Sequence, residues 1–146
     1  MEFKVKSFSE LNSLEMYQLL QLRSDVFVIE QHCIYKDMDD KDQSCYHLIG
    51  VEGGNVVAYS RLVPPGISYE NASIGRVCTA KSVRMEGYGM VLMEEAIKHC
   101  RLLWPISCIT ISAQAYLEKF YMKFGFLTVS EPYLEDDIPH VKMILE

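Results

Sequence analysis

Apolar side chains recur along this chain at every second position in some segments and at every third or fourth position in others. The first spacing predicts strands and the second predicts helices. Alternation over residues 3–8 predicts an edge strand, and Ser9 is expected to cap a helix that begins near Glu10. Two strand-like segments, 46–52 and 56–63, are separated by a Gly-Gly-Asn turn, which predicts a hairpin.

The second half of the chain alternates strand-like and helix-like segments. A nearly continuous apolar run at 106–112 is typical of a central strand covered on both faces, and Pro105 stops the helix before it. With no linker, internal repeat or low-complexity tract, the pattern predicts one α/β domain over residues 1–146 with a mixed sheet. The other predicted segments are a strand at 74–79, a helix from about Met90, a helix at 114–124 and a strand pair at 126–129 and 140–145.

Composition narrows the classes of function. The chain has 146 residues, of which 49% are hydrophobic, so it can bury a sizeable core. A net charge of -6 without a long basic run argues against a nucleic-acid binder and against binding to anionic membranes. The chain has no apolar stretch of membrane-spanning length and no signal-peptide pattern, and its five cysteines form no Cys-x-x-Cys pair. We therefore expect a cytoplasmic protein with reduced thiols.

A short turn with two glycines joins the strand at 74–79 to the next helix. Its sequence is Arg84-Met85-Glu86-Gly87-Tyr88-Gly89. The start of a helix carries unpaired N–H groups and a partial positive charge, and glycines let an anion approach them closely. Arg84 can add a fixed positive charge, so the turn predicts a phosphate or pyrophosphate site. It lacks the third glycine of a Rossmann site and the Gly-Lys-Ser/Thr of a P-loop, and a tight turn chosen only for packing fits the same spacing.

The order of motifs in the second half resembles the GNAT acetyltransferases. The strand, the Arg-x-x-Gly-x-Gly turn, a helix and an apolar strand precede Ala113-Gln114-Ala115-x-x-x-x-Phe120-Tyr121-x-x-Phe124-Gly125-Phe126. The resemblance runs from about Leu19 to the C-terminus and implies a mixed central sheet flanked by helices on both faces. Three further segments look like the ElaA subgroup: Leu22-Arg23-Ser24-Asp25-Val26-Phe27-Val28-Ile29-Glu30-Gln31, Tyr35-Lys36-Asp37-Met38-Asp39 and Ile138-Pro139-His140-Val141-x-Met143.

This resemblance implies an acetyl-CoA site. Gln114 matches a position where relatives often carry an Asn that touches the cofactor arm. Glu86 departs from the small or basic residues of relatives, so it would weaken pyrophosphate binding unless it points outward, an effect that Lys81 could offset. The resemblance assigns the pantetheine arm to backbone groups of Val77, Cys78 and Thr79, and the pyrophosphate to the amides of Arg84, Met85, Glu86, Gly87, Tyr88, Gly89 and Met90.

The resemblance also implies that Tyr121 is a general acid that protonates the departing CoA thiolate. Its position on an apolar helical stripe fits an ordinary core tyrosine as well. An amine with a reference pKa of about 10.4 must lose a proton before it attacks a thioester, so a general base or a water relay is needed. The candidate bases are Glu30, His47 and His140, although each histidine also fits a structural role and Glu30 could pair with Arg23 or with loop amides.

Acidic residues form two groups that suggest other sites. The group Asp37-x-Asp39-Asp40-x-Asp42 lacks the glycine and the final glutamate of an EF-hand, so calcium is not expected. These acids, with Glu131, Glu135, Asp136 and Asp137, fit either solvated loops or a mouth that attracts a cationic amine. A zinc set of His32, Cys33, Cys45 and His47 matches no standard spacing, so no metal is predicted.

The leading hypothesis from the sequence is an acetyl-CoA-dependent N-acetyltransferase that acts on a primary amine. The sequence does not choose among a polyamine, an amino sugar, an amino acid and a protein amine as the acceptor. Because GNAT domains often pair, the resemblance is also compatible with a homodimer. One alternative is a non-catalytic CoA-binding module, and the motivation for it is the atypical Glu86 in the glycine turn. The other is a relative of the acyl-homoserine-lactone synthases, which share an Arg-x-x-x-Phe helix and an acidic loop but are usually longer and carry a Trp that this chain lacks after Phe27.

Overall fold

Eight strands form one mixed sheet in the computed structural model, which describes all residues 1–146. The spatial order is β1-β2-β3-β4-β5-β8-β6, with β7 paired to β8, and only the contact between β4 and β5 is parallel. The mixed sheet, the edge position of β1 and the β2–β3 hairpin confirm the predictions from the sequence. The strands are β1 (Glu2–Ser7), β2 (Tyr46–Glu52), β3 (Asn55–Val63), β4 (Ala72–Thr79), β5 (Ile109–Gln114), β6 (Leu127–Thr128), β7 (Tyr133–Glu135) and β8 (Ile138–Leu145).

Three α-helices pack on the sheet, and none of them is long and apolar enough to cross a membrane. They are α1 (Ser13–Arg23), α2 (Tyr88–Leu103) and α3 (Glu118–Met122). A π-helical segment at Ser24–Glu30 continues α1, and short 3-10 turns lie at Phe8–Glu10, Asp42–Ser44, Lys81–Val83 and Ala115–Leu117.

The buried apolar residues form two clusters on opposite faces of the sheet. One contains Leu19 and Leu22 of α1 and packs on Ile49 and Tyr59, while the other contains the buried face of α2 and packs on Leu48 and its neighbours. Consecutive residues of a strand point to opposite faces, which is why Leu48 and Ile49 belong to different clusters. Helices therefore cover both faces, as predicted.

The predicted start of the first helix and the predicted span of the helix at 114–124 are wrong. Ser9 lies in a 3-10 turn, and the cap of α1 is Asn12, whose side chain accepts a hydrogen bond from Glu15 N at 2.8 Å while the Glu15 carboxylate accepts one from Asn12 N at 3.0 Å. The predicted helix at 114–124 is divided, since Gln114 ends β5 and pairs with His140 of β8 before the chain turns into α3.

The apolar spacing of the second segment is nevertheless informative. Tyr121 is buried, and Leu117, Phe120 and Phe124 pack against the same core cluster. Gly125 follows with φ of 99°, and a Cβ at this position would come within 3.1 Å of Leu145 Cδ1. Both the positive φ and the close approach favour glycine where this segment ends.

The reciprocal bonds of Asn12 and Glu15 give a stability prediction. Replacing Asn12 with Ala should lower the free energy of unfolding by about 1 kcal/mol, because two N–H groups at the helix start lose or weaken their partners. Urea unfolding followed by circular dichroism measures this, with Ser9→Ala as the matched control. A larger loss in Ser9→Ala than in Asn12→Ala would contradict the assignment of the cap.

Candidate functional site

Strands β4 and β5 separate after a short contact and open a cleft in the middle of the sheet. They pair only at Ala72 with Ile109 and at Ser73 with Thr110. From Ile74 to Thr79, β4 has no ladder partner on the β5 side. Unpaired N–H and C=O groups along an exposed strand edge are ready to bond an extended ligand.

A β-bulge in β4 shapes the wall of this cleft. Tyr59 of β3 lies opposite Cys78 and Arg61 lies opposite Gly75, so Ser60 alone faces the two residues between them, Arg76 and Val77. Arg76 has φ of 53°, an uncommon conformation for a residue with a side chain. The extra residue changes the alternation of side chains along β4.

The bulge changes which face of the sheet the side chains of β4 point to. Ile74 and Cys78 are four residues apart, and in a regular strand they would point to the same face. Instead Ile74 belongs to the cluster under α2 and Cys78 to the cluster under α1. The bulge thus turns the backbone of β4 where the cleft opens.

The cleft has a volume of about 600 Å³ and lies between the walls formed by β4 and β5. Residues of the π-helical segment, α2, α3 and the β7–β8 turn complete its lining. Nine of the residues predicted for the site line it: Glu30, Val77, Cys78, Thr79, Arg84, Gly89, Gln114, Tyr121 and His140. Six do not line it: His47, Met85, Glu86, Gly87, Tyr88 and Met90.

The turn before α2 has the expected shape but starts the helix earlier than predicted. Gly87 is the N-terminal cap of α2 with φ of 79°, and the helix begins at Tyr88 instead of near Met90. No side chain caps it, so its first N–H groups have no side-chain acceptor at the positive end of the helix dipole. Glu86 is exposed and forms no ion pair with Arg or Lys, and Met85 is also exposed.

Arg84 does not supply a free positive charge, contrary to the prediction. Its guanidinium donates to the Thr79 carbonyl from Nε at 3.1 Å and from Nη2 at 2.8 Å, and Nη1 lies 2.7 Å from Glu30 Oε1. Glu30 therefore pairs with Arg84 and not with Arg23, which was one of the partners that the sequence left open. The arginine ties the π-helical segment to the end of β4.

Tyr121 is 8% exposed and lines the cleft. Its ring packs edge-on against Phe120 and Phe126. Its hydroxyl has no hydrogen-bond partner in the protein, and burial raises its pKa to about 12. The hydroxyl stays protonated at neutral pH, so it can act as a donor but not as a base.

His140 lies on β8 opposite Gln114 and is 6% exposed. Its Nδ1–H donates to the Ile138 carbonyl at 2.7 Å, which leaves Nε2 as the nitrogen that exchanges a proton. Nε2 lies 3.3 Å from Glu135 Oε2, and the ring stacks on Tyr133. These contacts hold the imidazole in one orientation at the cleft.

His47 is wrong as a candidate base. The side chain is fully buried and does not line the cleft. Nε2 donates to the Asp42 carbonyl at 2.9 Å, and Nδ1 accepts from the Tyr59 hydroxyl at 2.7 Å. Burial lowers its pKa, which keeps the ring neutral in a structural role.

The acids of the first acidic segment do not form a cation-attracting mouth. Asp37, Asp39 and Asp42 are held by three arginines in a buried or half-buried ionic cluster. The contacts are Arg23 with Asp37 (2.9 Å) and Asp42 (2.8 Å), Arg61 with Asp39 (2.8 Å) and Asp42 (2.9 Å), and Arg76 with Asp37 (2.8 Å). Three carboxylates balance three guanidinium groups, so little charge remains to attract an amine. No group of three or more His, Cys, Asp or Glu side chains is arranged to hold a metal ion.

Asp37 connects this cluster to the cleft. Its Oδ1 accepts from Arg76 Nε at 2.8 Å and from the Tyr35 hydroxyl at 3.1 Å, while Oδ2 accepts from Arg23 Nε. The Arg76 guanidinium also lies over the Tyr35 ring, 5.7 Å from its centroid. Tyr35 and Arg76 both line the cleft, and sequence reasoning missed them as site residues. The subgroup motif at residues 35–39 was the available signal, but a motif does not name its partners.

Comparison with known proteins agrees with this architecture. The family model described as an acetyltransferase (GNAT) domain matches residues 14–146. The chain belongs to the GNAT acetyltransferase family. Among GNAT proteins, ElaA of Escherichia coli K12 is 41% identical over 140 residues, which cover 94% of this chain and 92% of that protein. The E. coli ElaA structure superposes with a TM-score of 0.93 at 40% identity and covers both chains completely.

Two further solved structures are informative. An acyl-CoA N-acyltransferase from Pseudomonas aeruginosa has a TM-score of 0.94 at 40% identity and covers 98% of this chain and 97% of its own. BjaI, described as a CoA-dependent acyl-homoserine lactone synthase, has a TM-score of 0.80 at 19% identity and covers 99% of this chain and 83% of its own. BjaI thus shares the GNAT fold.

The ionic cluster predicts a loss of stability in acid. Burial favours the neutral form of Asp39, but the hydrogen bonds and charge of Arg61 outweigh it and hold the pKa of this carboxyl below its usual range. The pKa of Asp42 is lowered in the same way by Arg23 and Arg61. A carboxyl with a lowered pKa stabilises the fold above its unfolded pKa of about 3.9, and this stabilisation is lost as the pH falls toward the folded value.

Urea unfolding at pH values from about 7 down to about 3 measures this effect. The free energy of unfolding should fall below about pH 5, and Asp39→Asn should show a flatter pH dependence because one titrating carboxyl is gone. Asp40→Asn is the control, since Asp40 is exposed and makes no ion pair. Equal slopes for Asp39→Asn and the unchanged protein would contradict the role of the cluster.

Proposed function

We propose that this protein transfers an acetyl group from acetyl-CoA to a primary amine by direct attack in a ternary complex. The observation that carries the proposal is the largely buried Tyr121 side chain, whose hydroxyl has no hydrogen-bond partner and which lines the cleft where β4 and β5 separate. Membership of the GNAT acetyltransferase family supports acyl transfer. The description of the P. aeruginosa relative as an acyl-CoA N-acyltransferase supports a nitrogen acceptor.

The chain offers suitable groups for acetyl-CoA. The free edge of β4 at Val77, Cys78 and Thr79 can bond the amide-containing pantetheine arm, and Gln114 lines the facing wall. The uncapped start of α2 suits the pyrophosphate. A Cβ on Gly89 would meet only the Phe120 ring, at 3.9 Å, so protein packing does not require glycine there. The absent side chain leaves room for a ligand beside these amides.

Glu86 conflicts less with this proposal than its sequence position suggested. It is exposed and lies outside the cleft lining, so its carboxylate is screened by solvent. Lys81 is exposed as well and forms no ion pair. The charge of Arg84 is balanced by Glu30, so the backbone amides from Arg84 through Met90 carry the proposed pyrophosphate contact.

Acetyl-CoA supplies the thioester, and the chain supplies proton transfer and charge stabilisation. His140 Nε2 accepts the proton of the attacking amine. Backbone N–H groups of β4 at the bulge stabilise the oxyanion that develops on the carbonyl oxygen. Tyr121 donates its proton to the departing thiolate and regains one from solvent. Glu30 is assigned to holding Arg84 and not to proton transfer, because its carboxylate is engaged in that ion pair.

The test is a thermal-shift titration with acetyl-CoA and CoA, followed by thiol release over a panel of primary amines. Stabilisation by acetyl-CoA together with amine-dependent thiol release supports the proposal. Binding without thiol release for any amine would favour a non-catalytic CoA-binding module. Release of methylthioadenosine from S-adenosylmethionine would favour the acyl-homoserine-lactone-synthase alternative.

Removal of the Tyr121 hydroxyl gives the sharpest mutational prediction. Tyr121→Phe should lower turnover about 100-fold, at the lower end of what a general acid contributes, while the affinity for acetyl-CoA stays nearly unchanged. The fold should persist, because the hydroxyl has no partner to lose.

Steady-state thiol release and calorimetric binding separate the two effects. Tyr46→Phe is the matched control, since Tyr46 is half-buried, packs on Trp104 and lies outside the cleft. Turnover of Tyr121→Phe equal to that of Tyr46→Phe would remove Tyr121 from its assigned role.

A further inference from the structure

Gly75 lies in β4, where neither the backbone conformation nor the packing of the protein requires a glycine. Of the eight glycines, five adopt a positive φ, and a Cβ on Gly50 would lie 2.8 Å from the sulfur of Met1. A Cβ on Gly89 would still contact the Phe120 ring. Gly75 has no positive φ, and apart from its chain neighbours no atom would lie within 4 Å of a Cβ placed there. The missing side chain therefore leaves open space.

The strand itself gives no reason for this residue. A glycine inside a strand weakens it, because more backbone entropy is lost on folding and no side chain packs. The β-bulge does not account for it either, since the positive φ belongs to Arg76, and Gly75 still pairs in register with Arg61. Gly75 lines the cleft on the part of β4 that has no partner on the β5 side. A glycine in such a place is typical of a strand that a ligand approaches closely.

The pairing of β3 with β4 gives the direction of the open space. Residues directly opposite each other on neighbouring strands point to the same face of a sheet. Gly75 lies opposite Arg61, and Arg61 shares the carboxylate of Asp42 with Arg23 of α1. The preceding residue, Ile74, belongs to the core cluster under α2. The space at Gly75 therefore opens on the face of the sheet that α1 covers, here called the α1 face.

The proposed base and the proposed acid lie on opposite faces of the same sheet. Val141 and Met143 of β8 belong to the core cluster under α2, and so does Tyr121. Because side chains alternate along a strand, His140 points to the α1 face. The proposed base thus shares its face with the space at Gly75, and the proposed acid does not.

The proposed binding of acetyl-CoA brings the thioester close to Gly75. With the pyrophosphate at the start of α2 and the pantetheine arm along Val77–Thr79, the thioester end points back along β4 toward Arg76 and Gly75. An amine that gives its proton to His140 reaches the carbonyl carbon from the α1 face. Resting on the proposed function, we propose that Gly75 determines acceptor specificity. Its missing side chain makes room for the carbon that bears the amine of the acceptor, including a branched one.

Two isomeric amines, butylamine and 2-aminobutane, test this inference because they differ at the carbon next to the nitrogen. Both should release thiol from saturating acetyl-CoA with the unchanged protein. In Gly75→Ala, kcat/KM should fall about tenfold for 2-aminobutane and less for butylamine, because the added methyl group occupies the space that the branched carbon needs. Comparing the ratio of the two amines between variants cancels their difference in nucleophilicity.

Two further measurements separate lost space from lost structure. Urea unfolding of Gly75→Ala should give an unchanged or higher stability, since alanine loses less backbone entropy and its Cβ meets no atom. Calorimetric affinity for acetyl-CoA should also stay unchanged. Gly89→Ala is the matched variant at the other end of the cleft, beside the proposed pyrophosphate contact. It should weaken acetyl-CoA binding and leave the ratio of the two amines as in the unchanged protein.

The outcomes separate this inference from the proposed function. An unchanged ratio in Gly75→Ala, a loss of its stability or of its acetyl-CoA binding, or no reaction of 2-aminobutane where butylamine reacts would overturn the role of Gly75 and leave acetyl transfer intact. If only other amines of the panel react, their kcat/KM at saturating acetyl-CoA should fall in Gly75→Ala and not in Gly89→Ala. Thiol release with no amine, despite acetyl-CoA binding, would count against the proposed function and against the inference that rests on it.

Discussion

The ion pair between Arg76 and Asp37 is the interaction on which the shape of the cleft depends. Arg76 occupies a positive φ at the bulge of β4, a conformation that costs about 1–2 kcal/mol for a residue with a side chain. Asp37 holds its guanidinium at 2.8 Å and is itself fixed by the fully buried Arg23. The ionic cluster therefore offsets the strain of the bulge, and the bulge turns the backbone of β4 where the cleft opens.

The periodic segments were predictable because burial on one or both faces leaves a repeating pattern. The β2–β3 hairpin and the apolar spacing of Leu117, Phe120 and Tyr121 are examples. The ionic cluster of Asp37, Asp39 and Asp42 could not be predicted from the sequence, because its arginines come from α1, β3 and β4 and are distant in sequence. For the same reason the sequence could not show that Glu30 neutralises Arg84. Nine of the residues that line the cleft were predicted from the sequence, but the sequence did not indicate which charges remain unpaired.

These pairings determine the electrostatics of the candidate site. At the start of α2, backbone N–H groups and not an arginine side chain are available to an anion. Near His140, the carboxylates of Glu135 and Asp136 form no ion pair with an arginine or lysine. Tyr121, buried and protonated at neutral pH, lines the same cleft.

The central claim is that the free edge of β4 receives acetyl-CoA. Backbone amide hydrogen exchange with and without saturating acetyl-CoA tests it most directly, because it reports on each peptide group without requiring turnover. The account predicts slower exchange at Val77–Thr79 and at the start of α2, with little change in the β1–β2 pair at the far edge of the sheet. Unchanged exchange in β4 while acetyl-CoA is bound would contradict the account.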